Sequence, residues 1–168
     1  MHSTRYSLLA TRYARGFTIL ELMISITIIA IIGAMAGMEL IGYQRSAAAE
    51  SAARDIMSEL RFTQSQAITG EDGDLNGQGD AWGVRFSNNA DDTYQVFYSN
   101  TYTVASTTAT VYLPSSVKFT DPTEGNNKDI VFTKLTGTAS TSTAIVISTT
   151  DDSQSKTINI ATSTISIQ

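Results

Sequence analysis

The sequence contains no cysteine, and its single histidine is His2. Without cysteine the chain has no disulfide bond, no thiolate nucleophile and no thiolate metal ligand. Residues 3–168 also lack an imidazole, which argues strongly against Ser-His or Cys-His catalysis and against histidine-bound zinc. A pair of carboxylates is the catalytic arrangement that the composition leaves open.

Charged residues are few, at 16% of the chain, against about a quarter in an average protein. The first 16 positions hold Arg5, Arg12 and Arg15 and no acidic residue, whereas the rest of the chain carries 8 basic and 16 acidic side chains, a net charge of −8. An acidic body repels nucleic-acid phosphates and anionic membrane surfaces. The charge balance therefore argues against nucleic acid as a partner.

A long apolar segment follows the basic start. Residues 22–38 are 17 residues without a charge, the short end of the roughly 17–25 residues that cross a membrane as a helix. Because arginines precede the segment, the positive-inside rule places the N-terminus in the cytoplasm and the body outside. Three interpretations compete: a secretory signal cleaved near Ala34-Met35-Ala36, a plain membrane anchor, and an assembly helix.

Glu21 helps to separate these interpretations. A carboxylate at full membrane depth costs about 2.5–3.5 kcal/mol on insertion scales. Neither a signal peptide nor a simple anchor needs that carboxylate. An acid at this position indicates a positively charged partner within the apolar layer.

Residues 15–22, with the sequence RGFTILEL, resemble the class III leader and methylation signal of type IV prepilins and type II secretion pseudopilins. The resemblance implies that a prepilin peptidase cleaves after Gly16 and methylates the new N-terminus of Phe17. It also implies that Glu21 pairs with the N-terminal ammonium of a neighbouring subunit. This interpretation explains the acid, the glycine and the apolar helix together.

The helical pattern continues beyond the apolar segment. Residues 44–69 contain no proline, and small or apolar residues recur at three- and four-residue spacing from Ala49 to Ala67. Gly70 is a natural helix stop. We therefore expect an amphipathic continuation of the helix.

The remainder of the chain shows the alternation of apolar and polar residues that is typical of β-strands. Eight short runs do so, at residues 82–86, 94–98, 111–113, 117–119, 130–132, 145–147, 158–160 and 165–167. Such runs indicate antiparallel strands with one buried face. We predict an α+β, pilin-like fold in which a long N-terminal helix packs on a C-terminal antiparallel β-sheet domain.

The predicted organisation has four parts. They are a basic leader (1–16), a transmembrane and assembly helix (17–43), its amphipathic continuation (44–69) and a β-rich extracytoplasmic globular domain (70–168).

The loop at residues 71–80 is a candidate calcium site. Asp72, Asp74, Asn76 and Asp80 match the first part of a calcium loop, D-x-D-x-[DN]-G. The glutamate that would complete an EF-hand is missing. The alternative is a polar, glycine-rich hinge between helix and sheet, and no cofactor other than calcium is expected.

Among prepilin-like proteins, the chain resembles the GspH/FimT group of minor pilins, through its leader, the helical stretch at 60–68 and the segment WGVRF at 82–86. The resemblance implies a non-enzymatic subunit of a type IV pilus-like or type II secretion pseudopilus filament, contributing to protein secretion or pilus biogenesis. Its implied partners are other pilin or pseudopilin subunits, the prepilin peptidase, the inner-membrane assembly platform and, before assembly, membrane lipid. The implied location is the inner membrane, with a single pass, and then a filament in the periplasm or at the cell surface.

Three alternatives stay open at this point: a major pilin of a thin filament, a binding module at a filament tip for DNA or a surface, and an exported hydrolase that uses carboxylates. Some FimT-like proteins bind DNA through a basic C-terminal tail. Residues 160–168 of this chain contain no lysine or arginine, which argues against that activity.

Overall fold

The computed structural model describes residues 16–168. The predicted leader, apart from Gly16, lies outside the described residues. The chain divides into two compact units, Met1–Leu40 and Ile41–Gln168. Along the described residues one α-helix, α1 (Ile19–Thr69), is followed by eight β-strands and a single 3-10 turn, Val104–Ser106.

Helix α1 ends where the sequence places its stop. Gly70 adopts a left-handed conformation with φ of +66°, which glycine tolerates without a side-chain clash. The N–H of Gly70 donates to the carbonyl of Ala67, and the N–H of Glu71 donates to that of Gln66. This pair of bonds is a Schellman motif, which satisfies two of the last helical carbonyls.

The strands form two antiparallel sheets of four strands each. Their bounds are β1 (Trp82–Asn88), β2 (Asp92–Tyr98), β3 (Thr107–Tyr112), β4 (Val117–Asp121), β5 (Asn126–Phe132), β6 (Thr143–Thr149), β7 (Ser155–Ile160) and β8 (Ile165–Ile167). The first sheet has the order β3-β2-β1-β5, and the second sheet has the order β4-β6-β7-β8. The α+β, pilin-like prediction is therefore confirmed, and the predicted β-domain consists of two sheets.

One hydrophobic core joins the C-terminal half of α1 to both sheets. The helix contributes Ala53, Ile56 and Leu60, none of which is exposed. Burying a leucine or isoleucine contributes about 1.5–3 kcal/mol. The sheets contribute the inward-facing members of the alternating runs, namely Trp82, Val84, Phe86, Val96, Phe119, Ile130, Phe132, Ile145, Ile147, Ile158 and Ile160. Ile41–Gln168 thus contains a complete core of its own.

A second, smaller buried cluster lies on the outer face of the first sheet. Phe97 is fully buried there and meets the ring of Tyr102 edge-on, with 5.4 Å between the ring centroids. The guanidinium of Arg85 lies 3.7 Å above the Tyr102 ring and forms two hydrogen bonds of 2.6 Å to the Asp129 carboxylate. Residues 99–106, which include Tyr102, therefore form a strap over this face.

Asn88 connects the two sheets. Its buried Nδ2 donates to the carbonyl oxygens of Phe119 (3.0 Å) and Pro122 (2.7 Å). The backbone carbonyl of Asn88 accepts a hydrogen bond from the N–H of Gly125. A single polar side chain thus satisfies two carbonyls at the junction, where an unpaired group would be costly.

Candidate processing and assembly site

The predicted cleavage site lies on exposed backbone just before the helix. Residues 16–18 have neither helical nor strand structure. Phe17 is 76% exposed, and a Cβ placed on Gly16 would meet nothing within 4 Å. Exposed, irregular backbone is where proteolysis is favoured, and cleavage after Gly16 stays a prediction.

Thr18 caps the start of α1. Its hydroxyl oxygen accepts a hydrogen bond from the N–H of Glu21 at 3.2 Å, and its carbonyl accepts one from the N–H of Leu22 at 3.1 Å. The spacing T-x-x-E is the signature of a capping box. Thr18 was not among the predicted site residues, although this spacing could have revealed its role. The cap fixes the start of the helix between the cleavage site and Glu21.

Glu21 lies in the first turn of α1 and is exposed. The positive end of the helix dipole favours a carboxylate at this position. Within residues 16–168, no basic side chain lies within ion-pair distance of it. Its neighbours Leu20 and Leu22 are also exposed, so apolar side chains flank the carboxylate on both sides.

The two other polar side chains of residues 19–35 are satisfied within the helix. The Ser25 hydroxyl donates to the carbonyl of Glu21 at 2.7 Å, and the Thr27 hydroxyl donates to that of Met23 at 2.8 Å. Such bonds to the preceding turn let hydroxyl groups enter an apolar layer. Glu21 is therefore the polar group of this segment that requires a partner from elsewhere.

Helix α1 is long and apolar enough to cross a membrane, and none of its most apolar window is buried within the described structure. This property agrees with membrane anchoring by the N-terminal part of α1. The exposed apolar side chains need a lipid or protein environment, since their transfer out of water is favourable by about 25 cal/mol per Å².

The acidic loop brings three of its four predicted ligands together. Carboxylate oxygens of Asp72, Asp74 and Asp80 lie within 4.8 Å of one another. Asn76 differs, because its side-chain nitrogen donates to Asp74 and its side-chain oxygen accepts from the N–H of Gln78. The calcium assignment stays a prediction.

Backbone groups of the loop already bind these carboxylates. Asp72 accepts hydrogen bonds from the N–H groups of Asn76 and Gly77, and Asp80 accepts one from that of Gly73. Burial acts to raise the pKa of Asp72, but the bonds from Gly77 and Asn76 outweigh it and hold the pKa below its ordinary value. The loop is thus folded by its own hydrogen bonds, which also fits a polar hinge.

Comparison with known proteins agrees with the N-terminal geometry. Residues 11–37 match the family model for the prokaryotic N-terminal methylation motif, a range that includes Gly16, Phe17 and Glu21. No curated protein and no solved structure matches the chain. The assignment to the GspH/FimT group stays a prediction. The chain thus carries the N-terminal segment of a type IV prepilin-like protein.

Proposed function

We propose that this chain is a non-enzymatic, minor pilin or pseudopilin of the GspH/FimT kind, which joins a type IV pilus-like or type II secretion pseudopilus filament. The observation that carries the proposal is the position of Glu21. It lies four residues after Phe17, exposed and flanked by apolar residues within a matched methylation motif. A filament core of packed helices is the environment in which such a carboxylate finds a cation.

The charge pair forms in two steps. Cleavage after Gly16 frees the amine of Phe17, and methylation leaves that amine positively charged at neutral pH. In a bundle of staggered helices, the amine of one subunit meets the Glu21 carboxylate of its neighbour. A carboxylate left unpaired in a low-dielectric layer is strongly destabilising, so this pair selects one register among many apolar ones.

The route to the filament follows from the distribution of charge. Arg5, Arg12 and Arg15 hold the N-terminus on the cytoplasmic side while α1 crosses the inner membrane. The peptidase acts there, and an assembly platform transfers the mature subunit from lipid to filament. The acidic body stays outside the cytoplasm throughout. Abundance in sheared surface fractions distinguishes this minor subunit from a major pilin.

The proposal is tested by the variant Glu21→Gln, with Ser25→Ala as the matched control. Both replace a polar group on the same helix face, four residues apart, but only the first removes the charge. We expect both variants to insert and to be cleaved, with Ser25→Ala reaching filaments at the wild-type level and Glu21→Gln falling at least tenfold. Mass spectrometry of the mature wild type should give an N-terminal methyl-phenylalanine at Phe17.

Two results would contradict the proposal. One is incorporation of Glu21→Gln at the wild-type level, which would show that the carboxylate does not direct assembly. The other is a mature protein that starts at Gly37, which would identify the apolar segment as a cleaved secretory signal.

A further inference from the structure

Strand β3 is an uncovered edge of the first sheet. It pairs with β2 on one side, and within residues 16–168 no strand pairs with its other side. Its last five residues, 108–112, are all exposed. An edge of this kind presents a row of backbone N–H and C=O groups that can pair with a further strand.

The edge also lacks most of the features that normally prevent such pairing. Strand β3 has the sequence TTATVY, without lysine, proline or glycine, and threonine, valine and tyrosine all favour strands. The irregularity in its pairing with β2 lies between Val96 and Phe97, opposite the start of β3. Residues 109–112 therefore form a regular, uncharged template, on which Tyr112 is 66% exposed.

The distribution of charge indicates what can approach this edge. Ile41–Gln168 carries 8 basic and 14 acidic side chains, a net charge of −6, so two copies of the body repel each other overall. Residues 93–117, by contrast, are 25 consecutive residues without a charge. They include all of β3 and most of β2. Across this stretch, β3 and residues 93–98 of β2 present no charged side chain to a second copy.

From these observations we infer that β3 pairs antiparallel with β3 of a second copy of this chain, joining the two first sheets edge to edge. A twofold axis perpendicular to the sheet relates the two strands. Each residue therefore lies opposite a residue whose side chain points to the same face of the sheet. The axis must then pass midway between two copies of the same residue, and the middle of the strand is Ala109 or Thr110. With the axis at Thr110, Ala109 lies opposite Val111 and Thr108 lies opposite Tyr112.

This pairing is distinct from filament growth; the dimer itself does not depend on the proposed function, and only its placement between filaments or membrane-bound subunits rests on it. A twofold interface closes on itself, whereas a filament grows through repeated head-to-tail contacts. Two bodies joined at β3 belong to two neighbouring filaments or to two subunits in the membrane. The proposed contact is therefore lateral.

The absence of native cysteine permits a direct test in the full-length chain. Thr110→Cys and Ala109→Cys are each introduced alone, with Ser163→Cys in the exposed β7–β8 turn as control. Residues opposite each other in an antiparallel pair have Cβ atoms about 4.5–5.5 Å apart, close to what a disulfide spans. We expect mild oxidation to convert at least one β3 variant to a disulfide-linked dimer on non-reducing gels, several-fold faster than the control.

A second test uses charge on the soluble body, Ile41–Gln168, which contains its own complete core. Thr110→Lys and Thr110→Glu each place like charges about 5–8 Å apart across the axis, and Ser163→Lys is the control. Sedimentation over a concentration series should show a dimer for the wild type and the control. Each Thr110 variant alone should raise the dimer dissociation constant at least tenfold, and an equimolar mixture of the two should restore dimers.

The inference is overturned by any of three results. They are a wild-type body that stays monomeric at the highest concentration reached, Thr110 variants that dimerise like the wild type, and β3 cysteines that crosslink no faster than Ser163→Cys. Crosslinking exclusively to a different protein would equally exclude self-pairing. Circular dichroism confirms that each variant is folded before its result is counted.

Discussion

The hydroxyl oxygen of Thr18 lies 3.2 Å from the backbone nitrogen of Glu21 and caps the first turn of α1. This bond places Glu21 at a fixed distance from the cleavage site, with helical geometry between Ile19 and the acid. The cap and the charge thus belong to one local structure, because the residue that begins the helix also positions the carboxylate.

The variant Thr18→Ala should weaken this arrangement. Loss of an N-cap hydroxyl costs about 0.5–2 kcal/mol, so the first turn should fray and Glu21 should lose its fixed position. We expect faster hydrogen exchange of the Glu21 amide in detergent and a lower yield of assembled protein. Thr18→Ser should behave like the wild type, and Thr27→Ala removes a hydroxyl without affecting the cap. Equal exchange rates in Thr18→Ala and the wild type would show that the cap is dispensable.

Asn88→Ala should destabilise the body. The substitution removes both hydrogen bonds to the carbonyls of Phe119 and Pro122 and leaves buried acceptors unpaired, at about 1–3 kcal/mol. The control is Asn89→Ala, because Asn89 is exposed and its side chain bonds only to Ser87 Oγ among the described residues. Urea unfolding of Ile41–Gln168 measures both variants. Equal unfolding midpoints for the two would exclude the proposed link between the sheets.

The pH dependence of stability should reveal the burial of Asp92. Its Oδ2 accepts a bond from the N–H of Phe119, whereas its buried Oδ1 has no partner among the described residues. Burial raises the pKa of Asp92 above its ordinary value. The folded state therefore binds the proton more tightly than the unfolded state, and ionisation above the folded pKa costs stability.

The variant Asp92→Asn removes that cost. The gain in stability of the variant over the wild type should be larger at pH 7 than at pH 3. At pH 3 the carboxyl of the wild type is protonated in both the folded and the unfolded state. Urea midpoints of Ile41–Gln168 at the two pH values give the comparison. Asp91→Asn is the matched control, because Asp91 is exposed. An equal difference from the wild type at pH 3 and pH 7 would contradict this account of Asp92.

The calcium hypothesis for residues 71–80 predicts binding that depends on the cluster of carboxylates. Calorimetry of Ile41–Gln168 with millimolar calcium should give heat and a raised melting temperature, and Asp72→Asn should abolish both. Glu71→Gln removes a charge next to the cluster and serves as control. The absence of heat and of any change in melting temperature would leave the loop as a hinge held by its own backbone bonds.

Local patterns in the sequence predicted much of this fold. Trp82, Val84 and Phe86 alternate as a strand with one face in the core should, and Gly70 marks the end of the helix. Both signals act over a few residues, so they can be read without knowledge of the fold. The order of the strands and their division into two sheets depend on contacts between distant segments, which no local pattern records.

The outer layer of the first sheet was missed for the same reason. Phe97 occupies a position that alternation assigns to solvent, yet Tyr102 and the strap bury it. Gly83 makes this burial feasible, because a Cβ there would lie 2.6 Å from the Phe97 ring. At the N-terminus, by contrast, Gly16, Phe17 and Glu21 form a contiguous motif. That motif could be read directly from the sequence, whereas the ion pair it predicts requires a second chain.

The shared core of α1 and the two sheets has a mechanical consequence. Ile56 and Leu60 are fully buried in the core that the helix shares with the strands, so the C-terminal half of the helix is a structural layer of the body and cannot act as a loose tether. Tension applied along the helix must pull these side chains out of the core before the helix can separate from the sheets. A subunit built in this way resists extraction under load until its whole fold gives way.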